Sequence, residues 1–261
     1  MEVHHHTHHP KKWKEYFWEF FMLFLAVFCG FLAEYMLEHK IENDRAKELA
    51  KSFYQELVED SARLDKIMEM RDMKIASCRY LLGYFKNADY SKDADTAFRC
   101  VSFAYITVSS RVLFEPSDGI INQLQNSGSR RYFKSQHLQD AISQLSTSIG
   151  FIRLRNEREM GYVTDYLRPF CIDHLDYEWL DAFGLHGKQN VTDAYLNGQV
   201  VQSIRPIFKN QQILNRDKAT NIAGQYLLML NGMKTSTIPD YRKVASNTMK
   251  LLREEFPELK K

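Results

Sequence analysis

Five histidines stand within the first nine residues, His4, His5, His6, His8 and His9, and they are the densest set of metal-ligating side chains in the chain. Neutral imidazoles crowded together chelate zinc, nickel or copper. The tract lacks the spacing of a built site, however, and beside Lys11, Lys12 and Lys14 its partial protonation would simply extend a basic flank. A second set is the carboxylate pair Glu19 and Glu34, fifteen residues apart in an otherwise apolar stretch. At about 100° per residue they fall within ~60° of each other around a helix, on the side that also carries Ala26, Gly30 and Ala33. Small residues at that spacing let membrane helices approach closely. In an oligomer the two carboxylates would line an ion or proton path, although glutamates near the ends of a span ordinarily turn toward the interface. For acid–base chemistry the chain offers His137, His174 and His186, with Asp173 and Asp176 beside His174 as weak metal-ligand candidates. No GxSxG elbow, P-loop, HExxH or paired CxxC accompanies them, so the sequence points to no catalytic residue and no cofactor.

The element that must hold Glu19 and Glu34 is the segment 16–37, YFWEFFMLFLAVFCGFLAEYML, about as long as the ~20 residues a helix needs to cross a bilayer. At ~1.5 Å per residue the carboxylates sit ~22 Å apart, each near one edge of a ~30 Å hydrocarbon core. Residues 35–37 run straight into a charged helical pattern, which reads as a retained anchor rather than a cleaved signal peptide. Lysines precede the segment, and Glu38, Glu42 and Asp44 come after it, so the basic end is expected in the cytoplasm and the larger part of the chain on the other side of the membrane. Trp13, Trp18 and Lys14 suit the interface. The expected organisation is a cytoplasmic segment 1–14, a span 15–37 and an outer helical domain 38–261.

Residues 31–82 contain neither Gly nor Pro, and apolar residues from Leu37 to Phe85 recur at helical intervals. The fold class expected is all-α, with the span continuing into a long amphipathic stalk, 38–86, joined to a helical bundle. Its polar stripe, including Glu42, Arg45, Glu56 and Arg63, reads as solvated. A turn at 87–93 leads to a helix at 94–112. Helical hairpins are expected over 94–180, with a short helix at 120–126 stopped by Gly128 and a long one from an N-cap at Ser135 to about Tyr166, ended or kinked at Pro169. Residues 181–212 read as irregular, and two helices, 216–231 and 240–256, close the chain.

Composition bounds the rest. The 261 residues are 44% hydrophobic with a net charge of +2, enough for a real core and without the basic excess of a nucleic-acid surface. Cys78 and Cys100 flank the predicted turn at comparable distances, so an antiparallel hairpin would bring them into disulfide reach; buried reduced thiols are the alternative.

The stretch HHTHHPKKWKEYFWEFFMLFLAVFCGFLAE at 5–34, followed by EHKIENDRAKELAKSFYQELVEDSARL at 38–64, resembles a bacterial family of uncharacterised single-span inner-membrane proteins. INQLQNSGSRRYF at 121–133 and KLLREEFPEL at 250–259 are similar to its helix–Ser–Gly break and its terminal helix, with Ser129 where that family usually has an apolar residue. The resemblance implies a short cytoplasmic N-terminus, one anchor and a helical periplasmic domain, and carries no catalytic residue. The function expected is non-enzymatic, a scaffold, accessory subunit or sensor that works in the lipid bilayer as a homo-oligomer or with a membrane-protein partner, without nucleic acid or a small-molecule substrate. Ion or metal handling is the alternative.

Overall fold

In the computed structural model, which describes residues 12–86, 112–174 and 215–260, helix α1 runs unbroken from Trp13 to Lys86, 74 residues and roughly 110 Å at 1.5 Å per residue. No hinge separates the apolar segment from the rest of the helix. Up to Ala46 the helix stands almost wholly exposed; beyond it, Ala46, Ala50, Phe53, Leu57, Asp60, Leu64, Arg71, Lys74, Cys78, Leu81 and Phe85 are buried, and with half-buried Ile67 they step by four and three alternately. That is a heptad seam, the spacing by which helices pack at a shallow left-handed angle. The expected stalk is therefore the central helix of the bundle. Each large apolar residue fully buried on the seam contributes about 2 kcal/mol by removal from water.

Helix α2 (Gly119–Asn126) ends where Ser127 closes the turn and Gly128 adopts φ 67°, a left-handed backbone that favours glycine, before a 3-10 turn at Ser129–Tyr132. This is the expected Ser–Gly break. Helix α3 (Gln136–Tyr162) starts as expected at Ser135, whose side chain accepts from the Leu138 amide. Glu255, at the far end of the chain, accepts from the Lys134 and Ser135 amides at 2.6 and 3.1 Å and so satisfies two more donors there.

Two prolines lie inside continuous rods: Pro169, where the sequence reads as an end or a kink, and Pro239, which stands in the first turn of the closing helix. Helix α3 passes through a widened π turn, Val163–Leu167, into α4 (Arg168–His174), with Pro169 inside the rod. Likewise α5 (Arg216–Gly232) passes through Met233–Thr237 into α6 (Ile238–Glu255), with Pro239 inside, where two separate helices are expected from sequence. A proline ring clashes with the carbonyl four residues back and donates nothing to it. In both rods the residue just before the proline reaches five back instead, Arg168 to Val163 and Ile238 to Met233, and one wide turn absorbs the ring.

The rods α1 and α3–α4 run parallel, and α5–α6 runs against both. Phe133 meets Phe256 at 5.7 Å near the apolar segment, Phe114 meets Tyr241 midway, and Phe85 meets Phe170 at 5.9 Å at the distal end. Among the described residues all regular structure is helical. The turn at 87–93, residues 94–111 of the expected second helix and the irregular stretch 181–212 lie outside the described residues; Val112, at that helix's expected end, belongs to a strap without regular structure, residues 112–118.

Candidate functional site

The heptad seam places three charged residues of α1 in the core, and each meets partners from the other rods. Arg71 donates from Nη2 to Glu159 Oε2 of α3 at 2.8 Å, with the two side chains 1% and 3% exposed. Tyr226 of α5 donates to the other oxygen of Glu159 at 3.0 Å, and Lys74 Nζ lies 3.5 Å from the Tyr226 hydroxyl. Three rods thus meet in one polar layer. It divides two apolar clusters, one around Phe53, Leu145 and Leu252 toward the apolar segment, the other around Leu81, Leu167 and Ala223 at the distal end.

Closer to the apolar segment along the seam, Asp60 forms a second centre. Its carboxylate accepts from the Ser117 amide and hydroxyl, both at 2.8 Å, from Tyr241 of α6 at 3.1 Å, and from Arg63. Arg63 also donates to the Glu115 carbonyl and Ser117 hydroxyl. The strap is fastened along its length, because Arg71 Nη1 donates to the Val112 carbonyl, Asn156 to the Phe114 carbonyl at 2.8 Å, and Arg153 pairs with Asp118 at 2.7 Å. Arg153 hydrogen-bonded to Asp118 holds that carboxyl below its ordinary range. Glu56, accepting from the Ile120 amide at 3.4 Å, is pushed upward by burial. Arg63 and Glu56, expected on a merely solvated stripe, thus fasten the strap and the start of α2 respectively.

Burial is the main cause that lowers Lys74 from 10.5 to about 8; Glu159 opposes it and Arg71 adds to it. The unfolded chain therefore binds this proton more tightly than the folded one, and between pH 8 and 10.5 the Lys74 contribution to stability rises with pH. Buried Cys78 and Tyr226 act in the opposite sense, since burial raises them above their ordinary 9.0 and 10.0, so they ionise first in the unfolded chain. Cys171 and Tyr241 act with them, so the urea midpoint is expected to increase just above pH 8 and to fall from about pH 9. In Lys74→Met the fall persists and the rise is lost; a rise of equal size in that variant assigns it to another group.

The layer is closed to a substrate, with Arg71, Lys74 and Glu159 all at 2% exposure or less. Its chemistry is structural: one anion holds two cations from α1 and a phenol from α5. The other sequence candidates are not gathered together. His137 and His174 lie near opposite ends of the α3–α4 rod, roughly 55 Å apart along it, and Asp173 is exposed beside His174. Among the described residues, no three His, Cys, Asp or Glu side chains are grouped to hold a metal ion. His4, His5, His6, His8, His9, Asp176, His186 and Cys100 lie outside the described residues, and Cys78 is a buried free thiol.

The apolar part of α1 is long and apolar enough to cross a membrane, with a mean hydropathy of 2.1 in its most apolar window and none of that window buried. Ala26, Gly30 and Ala33 fall on one side, as expected, with Glu19 and Glu34 flanking them, and a Cβ built on Gly30 meets nothing within 4 Å. The opposite side, roughly 160° away, carries ladders of rings that the sequence reading passed over: Trp13, Phe17 and Phe21 at 6.4 and 6.3 Å, and Phe20, Phe24 and Phe28 at 6.4 and 6.0 Å. The i, i+4 spacing of aromatic residues was the available signal.

No family model, curated protein or solved structure matches the chain.

Proposed function

We propose that this chain is a single-span membrane protein without catalytic activity, whose work is assembly: a scaffold, accessory subunit or sensor that packs through its span against a second copy or a partner helix. The observation that carries the reading is the two-faced, wholly exposed apolar segment. One side is small and acid-flanked, the other a double ladder of aromatic rings, and neither rests on the protein's own bundle. Rings suit lipid tails, whereas small residues gain most from a closely approaching helix. The closed polar layer supports the same reading, since its ionisable groups are spent on joining rods. The lysine-rich flank before the segment favours a cytoplasmic N-terminus with the bundle across the membrane, which the resemblance would make the periplasmic side of a bacterial inner membrane. The resemblance of residues 5–34 points the same way.

The test is the native mass of the protein extracted from its membrane into nanodiscs, beside Gly30→Leu. A complex of defined size that Gly30→Leu dissociates is expected. Because no other described residue outside the helix's own backbone lies within 4 Å of the added Cβ, the substitution is expected to leave the monomer fold alone. A wild-type monomer without partners, or a complex that Gly30→Leu leaves intact, overturns the packing face.

A further inference from the structure

Where α1 leaves the apolar segment, the bundle overhangs it and encloses a crevice of about 290 Å³ lined by His39, Glu42, Asn43, Arg131, Tyr132 and Lys134. Arg131 is 73% exposed on its side chain, pairs with Glu42 at 3.4 Å and lies over the Tyr132 ring; the Lys134 side chain is exposed beside it. Height and chemistry are both telling. His39 and Glu42 lie two and five residues beyond Leu37, so the crevice stands about 3–8 Å past the apolar segment, the depth of a ~5–7 Å headgroup layer. It opens on the aromatic side of α1, because Phe24, Phe28, Tyr35 and His39 recur by four and seven and the Tyr35 and His39 rings meet at 4.2 Å.

The geometry points to a phospholipid headgroup site, occupied by a phosphoethanolamine lipid of the surrounding leaflet. Its phosphate meets the Lys134 ammonium and the Arg131 guanidinium, which the Tyr132 ring backs, its primary ammonium meets the Glu42 carboxylate, and its acyl chains lie along the ring ladder below. A purely anionic headgroup would meet the Glu42 carboxylate of the lining as a like charge. A methylated headgroup could not donate hydrogen bonds to that carboxylate. The site rests on the membrane-spanning reading of α1.

Full-length protein is reconstituted in vesicles of phosphoethanolamine, phosphocholine and phosphoglycerol lipids with matched chains, washed at alkaline pH, released into mild detergent, and its retained lipids counted by native mass spectrometry. Retention of phosphoethanolamine lipid over the phosphocholine form by about tenfold is expected, one charge-assisted hydrogen bond's worth. Arg131→Ala/Lys134→Ala loses the retained lipid, whereas Glu42→Gln keeps it and levels the preference. Equal retention by the double variant, equal retention of phosphoglycerol lipid, or release of the lipid by inorganic phosphate at millimolar levels overturns the site. Protein that washes off the vesicles fails the spanning reading itself; protein that stays but shows no headgroup preference fails this inference alone.

Discussion

Glu159→Ala is expected to cost the bundle about 3–5 kcal/mol, the largest effect of any single substitution away from the apolar segment. The loss does not come mainly from one ion pair. Removal of the carboxylate leaves Arg71 and Lys74 side by side with no anion in a layer at most 3% exposed, and leaves the Tyr226 hydroxyl without its acceptor. Desolvating two cations is far more expensive than the pair is stabilising, so exchanging all the charges together should cost much less. Arg71→Met/Lys74→Met/Glu159→Leu is expected to keep most of the stability that Glu159→Ala loses. Urea unfolding in mild detergent, compared at equal slope, decides it. A triple variant as unstable as the single one would show that the layer's geometry, rather than its uncompensated charge, is what the bundle depends on.

Asp60→Ala comes next, at about 3 kcal/mol, because one carboxylate satisfies Ser117 twice, Tyr241 and Arg63. Its effect should be local first. With Asp60 gone, the strap loses its fastening at Ser117, and hydrogen exchange at the Ser117 amide should accelerate toward that of an open loop while amides at mid-α3 stay protected. Tyr241 supplies an independent readout. Burial, then the Asp60 charge, pushes its phenol well above the ordinary 10.0, so the variant should ionise at lower pH in an absorbance titration. An unchanged Ser117 amide would mean that Asn156 and Arg153 hold the strap without Asp60.

Both centres were half legible in the sequence. The apolar recurrence along α1 marks a helix with one buried stripe, and the expectation of an all-α chain rests on it. Asp60, Arg71 and Lys74 occupy that stripe in register, four or three residues from buried neighbours such as Leu57, Leu64 and Cys78, and a charge in register with a core is the sign of a buried centre. Their partners left no such sign. Glu159 lies 88 residues from Arg71, Tyr226 lies 152 from Lys74, and Tyr241 lies 181 from Asp60, separations that only the packing of three rods closes. Pro169, an end or a kink, and Pro239, a first-turn proline, were legible as local features, but the joining of the helices around them into single rods was not. The local rule that proline stops a helix is sound, but a single widened turn costs less than giving up the hydrophobic contacts of α4 and α6 on either side of it. Ser135 and Gly128, by contrast, act through their own backbone neighbours, and local signals of that kind were read correctly.

The unbroken course of α1 has a consequence for how two molecules could stand together. A rigid helix carries angular position along its axis as a shaft does, so the side of the apolar segment that bears Ala26, Gly30 and Ala33 keeps a fixed azimuth relative to the side on which Ala46, Phe53 and Leu57 receive the bundle. At about 100° per residue these azimuths differ by roughly half a revolution. Two copies back to back on their small residues would thus carry their bundles outward, like opposed brackets on a common post, clear of collision. One residue added or removed between Leu37 and Ala46 would swing each bracket by about 100° and spoil that clearance.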